Sequence, residues 1–284
     1  MSTASFKLPV IWRFFVLAVG LSWLFWIPAA LLPAAEPDLR VTILHYLGGA
    51  MPFATTLLAL FTWGDAAVRR DYWQRLVRVR GGMLGWLAVS LLIPPLVIAM
   101  SALIDRALGG QGAYPEAVAR FSGQPLAIIP FALFMLLFGP LPEELAWRGY
   151  GQHQMQWHCA PFLAALLIGA VWAVWHLPLY FIEGSFQYNL GFGSAYFWQF
   201  TLALLPQSVV IAWLYNRAEH RTLSAVLFHF STNFTGELTT LTARADWVAF
   251  ALWFVAAGIA VVLWGSAAWR RTLAHDSGSL LKAA

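Results

Sequence analysis

Long apolar runs alternate with short polar connections along this chain. Within each run hydrophobic residues are nearly continuous and do not recur as one stripe every three or four positions. Such segments read as helices apolar on every face, which need an apolar solvent around them. A bilayer core takes about 20 residues of helix. Eight segments reach or approach that length: 9–32, 41–63, 83–104, 126–156, 160–182, 193–215, 221–239 and 247–269. The seventh is the most polar, holding His229, Ser231, Thr232, Asn233 and Thr235. It can be a span only if neighbouring helices satisfy those groups. Connections are short apart from 64–82 and 105–125, and no repeat of period 20–50 is visible. The expectation is an all-α fold, a single integral membrane domain over 1–284 built as a polytopic bundle of about eight transmembrane helices.

Composition agrees. Sixty per cent of residues are hydrophobic and 11% charged, against about 25% charged in soluble domains, so a water-soluble fold is excluded. The 16 Trp and 21 Phe suit aromatic belts at the two membrane surfaces. The first apolar segment shows no cleavage site and reads as a retained helix. The lone Cys159 can form no internal disulfide.

Charge changes the picture in one respect. The net charge of +4 calls for no nucleic-acid partner, because the cations are distributed as topology signals. With eight spans, both termini and the connections 2–3, 4–5 and 6–7 share a side. Thirteen Lys and Arg fall there, among them Lys7, Arg69, Arg70, Arg75, Arg78, Arg80, Arg271 and Lys282, against four on the other side. Setting aside Arg13 and Arg148, which lie within spans, leaves the asymmetry intact. Both termini are therefore expected in the cytoplasm, in a bacterial or archaeal plasma membrane. The Arg69–Arg80 run reads as a topology anchor. A sharper reading is an interfacial segment that binds anionic headgroups or steers substrate.

Ionisable residues inside spans are costly and usually functional. The fourth span carries Glu143, Glu144 and Arg148, the fifth His176, the seventh His229 and Asn233. His45 and Arg13 lie nearer the ends of their spans. Pro142 removes a backbone donor, so a kink or break is expected just before the two glutamates. Glu144 and Arg148 lie four apart on one face and can pair. Glu143, rotated by about 100°, is then the freer carboxylate. Pro161 marks the turn between spans four and five, and the polar stretch from Gly151 to Cys159 reads as the exposed end of a long fourth helix. Glu143 and His176 each lie about 16 residues, roughly 24 Å, from that turn, so antiparallel neighbours place them at one level. His229 and Asn233, at i and i+4, share a face and both can donate hydrogen bonds. A purely structural reading of these groups is a buried ion cluster with interhelical polar contacts. The chemical reading is amide hydrolysis, in which a carboxylate and a histidine activate water and donors from another helix stabilise the oxyanion.

In these motifs the chain resembles the CPBP family of intramembrane proteases, which includes the type II CAAX prenyl endopeptidases and bacteriocin-processing, Abi-like proteins. Glu-Glu-x-x-x-Arg matches Glu143, Glu144 and Arg148. Phe-x-x-x-His matches Trp172 to His176, with Trp in place of Phe. His-x-x-x-Asn matches His229 and Asn233. The resemblance covers a protease core over about 126–240. It implies a bundle around a conical polar cavity open to membrane and cytoplasm. It also implies Glu143 and His176 as the water-activating pair and His229 with Asn233 as the oxyanion site. The substrate would be a membrane-associated peptide or prenylated CAAX-type protein. Trp172 keeps an aromatic face one turn from His176 and could narrow the cavity.

No His-Glu-x-x-His motif or Cys cluster occurs, and no cofactor is expected. The alternative is a zinc ion held by Glu143, His176 and His229. Asn233-Phe234-Thr235 matches a glycosylation sequon but lies in a span. The Ser279/Lys282 pair reads as chance, and Gly109-Gly110-Gln111-Gly112 as a flexible loop. Two rival functions share the same residues: a transporter that relays protons or binds a solute, and a non-catalytic immunity or scaffold protein.

Overall fold

A computed structural model describes residues 7–33, 38–78 and 81–270. Arg80, Arg271, Lys282 and the Ser279/Lys282 pair lie outside the described residues. All eight expected spans form helices. The first two are α1 (Leu8–Leu31) and α2 (Leu39–Thr62), followed by α3 (Ala66–Val77), which does not span. The third is α4 (Leu84–Ala107), entered through a 3₁₀ turn at Gly81–Met83. A short α5 (Glu116–Phe121) leads to the fourth span, which is segmented into α6 (Ile128–Phe138), α7 (Pro140–Ala146), a π-helical stretch at Trp147–Gln152, and α8 (His153–Met155). The fifth is α9 (Pro161–Trp175), continued by a 3₁₀ turn at Leu177–Phe181. After α10 (Phe186–Leu190) come α11 (Ala195–Arg217), α12 (Thr222–Leu238) and α13 (Ala243–Trp264). Seven of the eight are long and apolar enough to cross a membrane, and the protein is a multi-pass integral membrane protein. The eighth, α12, has only 17 residues and carries the polar cluster.

Close packing depends on small residues, as expected where lipid supplies no hydrophobic drive between helices. A Cβ on Gly48 of α2 would lie 2.2 Å from Nε1 of Trp26 on α1. That indole instead donates to the carbonyl of His45 at 2.8 Å. Gly169 of α9 packs likewise against Ser208 of α11, 3.0 Å from a built Cβ. Exposed Trp12, Trp73 and Trp269 mark one end of the bundle, and Trp198 and Trp247 the other, the placement of two interfacial belts.

Four local expectations are corrected. The break in the fourth span falls at Gly139 (φ −132°, ψ −94°), and Pro140, not Pro142, opens α7. Proline is suited to the first helical turn, where its missing N–H is not needed, so Pro142 is accommodated inside that turn. The fifth span has its expected extent, Pro161–Phe181, but its α-helix ends at Trp175 with His176 as C-cap and gives way to the 3₁₀ turn, because Pro178 cannot continue it. The polar stretch after Tyr150 is not an exposed end: Gln152, Gln154 and Gln156 are buried. Gln152 donates to Gln156 and to the carbonyl of Pro161, and Gln156 pairs with Asn216, so burial leaves few amide groups unpaired. The glycine-rich loop is pinned. Asp105 accepts hydrogen bonds from Gly112 N (2.8 Å), Thr242 Oγ1 (2.9 Å) and Arg244 Nε. A two-residue antiparallel bridge, Ala113–Tyr114 with Thr240–Leu241, closes it.

Candidate functional site

The site is assembled where the broken fourth span meets α9 and α12. The break at Gly139 starts a new helix within the membrane, and Glu143 falls in the first turn of α7, where the helix dipole favours a carboxylate. Glu144 follows on the neighbouring face. The π-helical stretch holds Arg148 and its flanking residues, all of them buried. Such π segments occur often at functional sites.

Glu144 and Arg148 form a sealed pair, each 0% exposed. Arg148 Nη1 donates to Glu144 Oε1 at 2.9 Å, and Nη2 donates to Ser208 Oγ at 3.0 Å. The serine hydroxyl in turn donates to the Ala165 carbonyl at 2.7 Å. Nδ1 of His229 meets the same Glu144 oxygen at 2.9 Å. Glu144 thus ties α7 to α12 while Arg148 ties the fourth span to α11 and α9.

Glu143, His176 and His229 are buried but keep 9%, 7% and 5% exposure, whereas Glu144 and Arg148 keep none. Glu143 accepts one hydrogen bond, from Trp172 Nε1 to Oε2 at 2.8 Å. The Trp172 ring also lies 4.8 Å from the Arg148 guanidinium carbon. Its centroid is 5.1 Å from the His229 ring and 5.8 Å from the His176 ring. Both Glu143 and His176 therefore adjoin one indole. Nδ1 of His176 lies 2.8 Å from the Trp172 carbonyl. A carbonyl can only accept, so Nδ1 carries the proton, and in the neutral ring Nε2 is an acceptor.

The Asn233 side chain makes no hydrogen bond among the described residues, and its Nδ2 lies 3.9 Å from a Cβ built on Gly139. Its free amide is beside the break that opens α7. The six residues singled out from the sequence thus fall within one region. Arg13 and His45 do not join them: Arg13 is exposed near the start of α1 and His45 packs against Trp26 and Tyr46. Among the described residues no three His, Cys, Asp or Glu side chains are grouped as metal ligands.

Sequence reasoning missed two participants. Ser208 anchors Arg148, and its only signal is a hydroxyl in a largely apolar span. Trp172 stood out as a departure from a motif, but its indole N–H bond to Glu143 depends on tertiary placement.

Comparisons with known proteins point to one family. Residues 125–235 match the family model "Type II CAAX prenyl endopeptidase Rce1-like". Over 253 residues, 88% of this chain and 92% of the relative, the sequence is 28% identical to CAAX prenyl protease 2 of Methanococcus maripaludis. The resemblance read from the three motifs is borne out.

Proposed function

We propose that this chain, a multi-pass membrane protein of the Rce1-like type II CAAX prenyl endopeptidase family, hydrolyses a peptide bond in a membrane-tethered substrate, prenylated CAAX-type proteins being the first class to try. The observation that carries this is the grouping of Glu143, His176 and His229 around Trp172, resting on the sealed Glu144–Arg148 pair.

Glu143 takes a proton from water, while Nε2 of His176 orients that water as an acceptor. The oxygen attacks the scissile carbonyl carbon and a tetrahedral oxyanion forms. Nε2 of His229 and Nδ2 of Asn233 donate to the oxyanion. Glu143 then returns its proton to the departing amine nitrogen, the C–N bond breaks, and the resulting carboxylic acid gives its proton to the amine, so that a carboxylate and an ammonium leave. Nδ1 of His229 is directed at Glu144, which leaves Nε2 as the nitrogen for the oxyanion.

The test is turnover. Purified protein in detergent, given prenylated CAAX peptides and other membrane-tethered peptides, is expected to cleave at least one class. Glu143→Ala and His176→Ala are each expected to lose about 10²-fold or more, the usual contribution of acid–base groups. Clear wild-type turnover that neither substitution lowers would refute the assignment. Zinc is tested separately: activity that survives exhaustive chelation, in protein free of metal by elemental analysis, supports the glutamate mechanism. Loss on chelation with recovery on added zinc supports the metal alternative.

A further inference from the structure

A second cluster of charged side chains lies about 15 Å along the fourth span, since His153 follows Glu143 by ten residues. Here a cavity of about 300 Å³ opens between the end of α3, α8 and the turn joining α11 to α12. Arg75, Arg78 and Arg221 line it, with His153 and His220. Arg75 donates Nε to Asp71 (2.8 Å) and Nη1 to the Gly149 carbonyl (2.7 Å) and the Tyr215 hydroxyl (2.9 Å). Its Nη2 has no partner among the described residues. Arg221 is 8% exposed, and although Nη1 donates to the Gln74 carbonyl at 2.9 Å, its Nε has no partner. Its Nη2 stands 3.9 Å from Glu219, beyond a hydrogen bond. Arg78 is exposed at the end of α3 and has no partner among the described residues.

The backbone adds donors. Arg221 is the N-cap residue of the 17-residue α12, and no side chain caps that helix; Ser224 N–H turns back to the Arg221 carbonyl at 3.2 Å, which leaves the N–H groups of Thr222 and Leu223 and the positive end of the dipole at this turn. The preceding turn places Glu219 (φ 54°) and His220 (φ 62°) consecutively in the left-handed region. Helix ends of this shape usually carry glycine, and non-glycine residues held there concentrate at functional sites. Two acids lie in the wall: Asp71 is engaged by Arg75 and by His153 at 3.4 Å, and Glu219 stands against Arg221. Burial first, then the charges of Arg75 and Arg221, push His220 down to about 4, so positive charge here resides on the arginines.

We infer that this cavity binds a phosphate-type anion, held by Arg75, Arg78 and Arg221 at the N-terminus of α12. Two sources share that chemistry: an anionic lipid headgroup and soluble phosphate. The neighbouring surface suits the first, because α3 exposes Trp73 and Val77 one turn apart and buries Val68 and Tyr72, as a helix lying in the membrane interface does.

Binding is read without turnover, so the outcome is independent of the peptidase reading. Full-length protein in detergent is titrated with phosphatidylglycerol or phosphatidylcholine and followed by native mass spectrometry. In parallel, inorganic phosphate is titrated against chloride and followed by thermal unfolding. Wild type is compared with Arg78→Gln, Arg221→Gln and, as a charge-matched control, Arg70→Gln on the same helix outside the cavity. Loss of a charged hydrogen-bond donor is expected to weaken binding about tenfold in the first two and leave Arg70→Gln near wild type. Preferential phosphatidylglycerol binding with this pattern identifies a lipid source. Stabilisation by inorganic phosphate with the same pattern identifies a soluble one. Should Arg221→Gln fail to fold, the exposed Arg78→Gln still decides. Equal affinities in wild type and Arg78→Gln, an equal loss in Arg70→Gln, or no binding of either anion overturns the site.

Discussion

Trp172 shows how one side chain can organise a site. Phenylalanine at this position would supply the same aromatic face but no N–H, and the Glu143 carboxylate would lose the one hydrogen bond it accepts among the described residues. Trp172→Phe is expected to lower kcat about tenfold with KM little changed, since a hydrogen bond to a charged group contributes about 1.5–3 kcal/mol. Steady-state kinetics on the best peptide substrate will check this, and a change confined to KM would show that Trp172 only shapes the binding space. Asn233→Ala is expected to cost about 10²-fold in kcat, as for other oxyanion donors. The sealed pair behaves differently. Arg148→Ala leaves Glu144 buried without its partner and is expected to destabilise the fold by about 3–5 kcal/mol. The double change Glu144→Gln with Arg148→Met is expected to recover much of that stability without restoring turnover. Thermal unfolding in detergent, read beside activity, separates the two effects.

Among the helices, close approach and interruption matter more than length. The α1–α2 pair closes over Gly48, where any Cβ would strike the Trp26 indole. Gly48→Ala is expected to cost about 1–3 kcal/mol through overpacking and to disturb the Trp26–His45 hydrogen bond. Gly258 on α13 has nothing within 4 Å of a built Cβ, so Gly258→Ala is expected to be neutral or slightly stabilising by helix propensity. Comparison of the two melting temperatures checks the packing argument, and similar shifts would sink it. The interrupted fourth span has another consequence. A continuous helix from 126 to 156 would give Glu143 no helix N-terminus, whereas the break at Gly139 brings one to it and leaves Asn233 alongside.

At the scale of the whole molecule, orientation is the property with the widest reach. Positive residues predict that both termini face the cytoplasm. With Cys159 replaced by Ala, a cysteine placed at Gly109 is expected to react with an impermeant thiol reagent from outside intact cells, and one placed at Arg270 only after permeabilisation. The reverse pattern would invert the bundle and put the arginine-lined cavity on the other surface.

The boundary between what was legible in the sequence and what was not follows from physics. Span number and helical class were legible because burial in lipid forces every backbone group to pair within its own segment, which leaves a linear hydrophobic signal. The Glu144–Arg148 pairing was legible for a related reason: residues four apart on one helix meet whatever the rest of the fold does. Contacts between helices carry no such local signal. That His229 turns to Glu144, that Ser208 holds Arg148, that Trp172 reaches Glu143, and that glutamines 152, 154 and 156 are buried all depend on crossing geometry and small-residue packing. Sequence alone specified which polar groups had to find partners away from water. Only the packed helices decided which partner each one found.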